Sequence, residues 1–160
     1  MMPCKGEQGI SLVEVLVAAV IGTVAVVGTF EAVQAATRAA QQGMIKTRAI
    51  TLVQIRLEAK RSVRWDGLLH DDVNHDGVVD RTMQDDGMGP DLSAGDGVYT
   101  GIWEQDGVRL VWTVATEPRG PVSQAGLVII EATASYQGIN GLVDVRMTTM
   151  RANPHYVGVQ

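Results

Sequence analysis

The sequence predicts an α+β fold: a long N-terminal helix, its N-terminal half transmembrane, packed on a four-stranded antiparallel sheet, with an Asp/Gly-rich loop between them. Three observations predict it. The stretch Ile10–Phe30 is predominantly apolar, and Glu14 is its one charged residue. Apolar residues then recur at spacings of mostly three and four as far as Val63, the period of a helix. Beyond Gly97, four strand-like segments alternate with turn sequences. In a chain of 160 residues, the part beyond the apolar stretch suffices for one modest core.

The apolar stretch comes first. At about 1.5 Å per helical residue it matches a hydrocarbon layer of about 30 Å. It outruns the ~7–15 apolar residues of a secretory signal, and it passes into a helical pattern rather than a cleavage site. Glu14 is the anomaly. A charge deep in a bilayer costs roughly 2.5–3.5 kcal/mol, and such residues usually have a function and a nearby partner. No other side-chain charge lies between Glu7 and Glu31. A cut between Gly9 and Ile10 would expose an α-amine one helical turn from Glu14 and so create a positive partner.

The helical pattern continues through Val33, Ala36, Ala40, Met44, Leu52, Ile55, Ala59 and Val63. With no proline between Pro3 and Pro90, one helix over Ser11–Arg64 is expected. Gly22, Gly28 and Gly43 interrupt it and fit either close helix packing in a membrane or local extension. Arg38, Lys46, Arg48, Arg56, Lys60, Arg61 and Arg64 make this segment basic, and they read as a solvated helix face. No nucleic-acid-binding motif or aromatic interleaving accompanies them, so a nucleic-acid partner is not expected.

Residues 65–97 read as a loop with a strong acidic excess. Asp72, Asn74 and Asp76 are followed by Gly77 and Asp80, matching the first part of an EF-hand-type calcium loop. Met83 stands where the closing carboxylate would be, so Asp85, Asp86 or a water would close the shell instead. A second stretch follows, in which Asp86, Asp91 and Asp96 at five-residue spacing could converge on one hard cation, with Asp85 beside them. Turn formation alone also selects Asp, Asn and Gly. Crowded acids favour a cation, and the oxygen-rich set suits calcium better than zinc. His70, His75 and His155 are read as bystanders.

Val98–Trp103 and Val108–Thr116 form a hairpin around Gln105-Asp106-Gly107. Leu127–Tyr136 and Leu142–Met150 form another around residues 137–141, and Glu117–Pro121 separates the two. A sheet with one apolar face needs cover, and the second half of the helix supplies it. Trp65, Trp103 and Trp112 read as core or rim. No nucleophile motif, phosphate-binding loop or other catalytic constellation is present, which argues against an enzyme.

The stretch GISLVEVLVA resembles the N-terminal signature of type IV prepilins and type II secretion pseudopilins, with Gly9, Ile10 and Glu14 in the three signature roles. Ile10 departs from the commonest residue, Phe. The resemblance implies cleavage after Gly9 and N-methylation by a prepilin peptidase, and contact of Glu14 with the mature amine of a neighbouring pilin or pseudopilin subunit. It implies residence in inner-membrane lipid, then in a periplasmic or extracellular filament, as a minor pilin or pseudopilin. Cys4, the one cysteine, falls in the leader, so the mature chain has no disulfide. Some pseudopilins use calcium instead. The expected layout is a leader at 1–9, a transmembrane helix half at 10–30, an amphipathic half at 31–64, the acidic loop at 65–97, and sheet plus tail at 98–160. The alternative is a membrane-anchored extracytoplasmic calcium-binding module that does not polymerise.

Overall fold

The computed structural model describes residues 11–74, 76–88 and 91–155. Cys4, Gly9, Ile10, His75 and Pro90 therefore lie outside the described residues. Helix α1 spans Leu12–Ser62, within two residues of the expected ends. The chain divides into two compact units, residues 1–41 and 42–160. In the first, the described residues are helical apart from Ser11 and are exposed throughout. The second holds the rest of α1 and all the strands.

In the second unit, β3 (Val98–Gln105), β4 (Val108–Glu117), β5 (Leu127–Gly138) and β6 (Gly141–Ala152) form an antiparallel sheet in chain order. Each strand runs one or more residues beyond its expected limits at one end or both. Asp106 (φ 50°) and Gly107 (φ 75°) turn β3 into β4, as a two-residue hairpin with both central φ positive requires. β4 buries Val108, Leu110, Trp112, Val114 and Thr116, while β5 buries Val128, Ile130, Ala132, Ala134 and Tyr136. This strict alternation leaves one face apolar, and Ala49, Val53 and Leu57 of α1 join its core. Full burial of each Val, Leu or Ile here is worth about 1.5–3 kcal/mol.

The helix keeps its expected phase in part, with Leu52 and Val63 packed against the core. Val33, Met44 and Ile55 are exposed, whereas Ala49, Val53, Arg56, Leu57 and Lys60 are buried. Arg56 and Lys60 therefore correct the reading of the basic residues as a solvated face. Residues 65–97 also carry more structure than a plain loop: a 3-10 turn at Trp65–Gly67, and two short antiparallel strands, β1 (His70–Asp71) and β2 (Arg81–Thr82). A bridge from Gln84 to Thr100 ties this segment to the outer edge of β3.

Candidate functional site

The first candidate region is the N-terminal end of α1. Ser11 O accepts the amides of Glu14 (3.0 Å) and Val15 (3.2 Å). Glu14 lies in the first helical turn, where an acid is favoured by the helix dipole. Around it, Leu12, Val13, Val15, Leu16 and Val17 are all more than half exposed. This helix is long and apolar enough to cross a membrane. A surface of this size is explained by lipid or by other apolar helices. Glu14 is set within it and has no ion-pair partner among the described residues.

The second region is the acidic segment. Asp72 Oδ1 accepts the amide of Asp76 (3.1 Å) and Oδ2 that of Gly77 (2.8 Å). Asp80 Oδ2 accepts the amides of Val73 (2.7 Å) and Asn74 (3.2 Å). Asn74 Nδ2 donates to Asp76 Oδ2 (3.0 Å), and Asp76 Oδ1 accepts the amide of Val78 (2.8 Å). These side chains fold their own loop, with Gly77 at φ 86° supplying the sharp turn. Met83, at the closing position, is buried in the core.

Among the described residues, Asp85, Asp91 and Asp96 form a carboxylate group in which each offers one oxygen within 4.8 Å of the others. The convergence expected of Asp86 falls to Asp85 instead. Asp86 Oδ1 accepts the amide of Met88 (2.9 Å) in its own turn. Asp85 is held by the amides of Gly95 (2.5 Å), Asp96 (3.1 Å) and Gly97 (2.8 Å). Asp91 accepts from Gly87 (2.7 Å) and Ser93 (3.1 Å), and the Gly87 bond foremost holds its carboxyl below the usual Asp range. An all-oxygen trio of this kind suits a hard cation.

A third feature was not legible as a site. Asp71, 2% exposed, accepts Arg56 Nη1 (2.9 Å) and Lys60 Nζ (3.0 Å) on Oδ1, and Trp112 Nε1 (3.0 Å) on Oδ2. The Arg56 guanidinium also stacks 4.3 Å from the centre of the Trp112 ring. Lys60 Nζ donates to Leu68 O (2.5 Å) as well. Burial pushes the Lys60 ammonium below the usual lysine range, against the opposing pull of Asp71. This cluster pins the start of the acidic segment to α1 and β4. The one available signal was the helical spacing of Ala49, Val53, Arg56, Leu57 and Lys60, which puts two cations on the apolar stripe.

Residues 4–30 match the family model of the prokaryotic N-terminal methylation motif. The chain carries the type IV pilin and pseudopilin signature. Gly9, Ile10 and Glu14 all lie within the matched residues. The signature implies processing by prepilin peptidase and assembly with other pilin subunits, and with the apolar helix it is consistent with anchoring in the inner membrane before assembly. Proteins bearing it are structural rather than enzymatic. Neither the curated proteins nor the solved structures yielded a match to this chain.

Proposed function

We propose that this pilin-like chain is a minor pilin or pseudopilin, a structural subunit of a type IV pilus or type II secretion filament. The observation that carries the reading is the methylation motif at residues 4–30 running into an apolar helix with no buried residue in its most apolar window. Cleavage after Gly9 removes Lys5 and Cys4 and leaves Ile10 as the first residue. The mature subunit waits in the membrane and enters the filament by packing its apolar helix against those of its neighbours. Glu14 pairs with the Ile10 amine of the adjacent subunit. In an apolar surround an unpaired charge is costly, so the pair selects the register at which both charges are satisfied.

Glu14→Ala tests the assembly step. The variant is expected to be processed and held in the membrane but absent from sheared filaments. Incorporation at the wild-type level would remove Glu14 from assembly. A wild-type chain never recovered in filaments would favour the non-polymerising membrane-anchored module.

A structural calcium ion belongs to the same proposal. Asp85, Asp91 and Asp96 would hold it, with Asp72, Asn74, Asp76 and Asp80 as a second oxygen-rich loop. Bound calcium supplies positive charge that offsets repulsion among the acids. The wild type should melt higher in calcium than in chelator, and Asp85→Asn should shrink that difference. Identical wild-type melting curves in the two conditions would refute the ion.

A further inference from the structure

We infer that Asn140–Gly141, at the tip of the β5–β6 hairpin, is the chain's site of spontaneous deamidation. The chemistry needs an asparagine carboxamide free to approach the backbone nitrogen of the next residue. The nitrogen of Gly141 loses its proton to base and attacks Asn140 Cγ. The N–Cγ bond forms, the Cγ–Nδ2 bond breaks, and ammonia leaves a five-membered succinimide. Water then opens the ring. Attack at Cγ gives Asp, and attack at the backbone carbonyl carbon gives isoaspartate, with the main chain rerouted through the side chain. No oxidant or reductant is needed.

The chain has three asparagines, and their surroundings separate them sharply. Asn153 is 1% exposed, its Nδ2 donates to Ala125 O (2.9 Å), and its Oδ1 accepts the amide of His155 (3.0 Å). Pro154 follows it, and a proline nitrogen has no proton to lose. Asn74 is followed by His75 rather than by glycine. Its carboxamide is also held at both ends, by Asp76 Oδ2 (3.0 Å) and by the amide of Asp76 (3.1 Å). Asn140 is exposed, and its side chain makes no hydrogen bond among the described residues. The residue after it is glycine, and a Cβ built on Gly141 meets nothing within 4 Å. No neighbouring atom crowds Gly141 on the side a Cβ would occupy, and its one restraint among the described residues is the terminal ladder pairing with Gly138.

The Asp-Gly steps of the acidic segment are the obvious competitors, since they reach the same ring by loss of water. Three of them are restrained. The amides of Gly77, Gly87 and Gly97 are engaged by the carboxylates of Asp72 (2.8 Å), Asp91 (2.7 Å) and Asp85 (2.8 Å). In addition, an ionised carboxylate resists nucleophilic attack at neutral pH, whereas a carboxamide does not. Conversion at Asn140 makes the formal charge one unit more negative than −5 and places that charge beside the exposed Ile139. The isoaspartyl form adds a backbone atom between strands paired at Gly138↔Gly141. This inference stands independently of the filament reading.

The test incubates the purified full-length protein in detergent at mildly alkaline pH. Site-resolved peptide mapping follows the three asparagines, and enzymatic isoaspartate labelling follows the product. The Asn140 peptide is expected to convert progressively to Asp and isoaspartate while Asn74 and Asn153 keep their amides. Asn140→Gln should remove the acidic isoform without shifting the melting curve. Conversion at Asn74 as fast as at Asn140 would overturn the inference. So would retention of the Asn140 amide in the folded protein when the urea-unfolded protein loses it, since the turn would then protect the site.

Discussion

Asp71→Ala removes the one carboxylate that serves Arg56, Lys60 and Trp112 together. Because both cations bind the same oxygen, at 2.9 and 3.0 Å, their charged atoms lie no more than about 6 Å apart. At an effective dielectric constant of about 20, two unit charges at that distance repel by about 3 kcal/mol. Arg56 and Lys60 are 5% and 1% exposed, so water does little to relieve them. Trp112, fully buried, loses the acceptor of its indole N–H, worth a further ~1–3 kcal/mol. Lys60 can shed its proton and recover part of this, so the total falls near the 3–5 kcal/mol typical of breaking a buried ion pair. Against a domain stability of about 5–15 kcal/mol that is a large share. Urea unfolding followed by tryptophan fluorescence reads the loss. The cluster also predicts non-additivity: adding Lys60→Met to Asp71→Ala should cost less than the sum of the single changes, because the second change removes a stranded charge. A single-variant loss below about 1 kcal/mol, or strict additivity, would refute the reasoning.

Further outcomes follow from the same packing. The folded state lowers the Lys60 pKa from 10.5, so the unfolded chain binds that proton more tightly and protonation opposes folding. The site's contribution to stability should therefore rise as pH climbs from the folded pKa towards 10.5, and Lys60→Met should lose that slope in pH-dependent unfolding. Gly101 is set by contact: a Cβ there would sit 2.3 Å from Cε2 and 2.5 Å from Nε1 of Trp112. Gly101→Ala should cost about 1–3 kcal/mol by overpacking, and an unchanged unfolding midpoint would contradict the close approach.

Much of this fold could be read from pattern alone. The helix, the four strands and the Asp106-Gly107 turn follow from local chemistry: hydrophobic period, strand alternation and a turn that demands positive φ. Residue type alone gives only part of the apolar stripe of α1. Leu52 and Val63 pack against the core as expected, but Ile55 is exposed, and the side that meets the sheet also carries Arg56 and Lys60. Two cations are buried there only because Asp71, 15 and 11 positions further on, comes back to meet them. A partner at that separation leaves no periodic trace. The same limit explains Asp85, which reaches the carboxylate trio through amides 10 to 12 residues away rather than through regular spacing. The methylation motif at residues 4–30 was legible because its signature is local in sequence.

The filament reading turns on whether the chain is cut between Gly9 and Ile10. The mass of the N-terminal peptide, taken from membranes of cells with an active prepilin peptidase, tests it most directly. The mature chain is predicted to begin at an N-methylated Ile10, with Cys4 and Lys5 gone. A chain that still begins at Met1 or Met2 in those cells would contradict it.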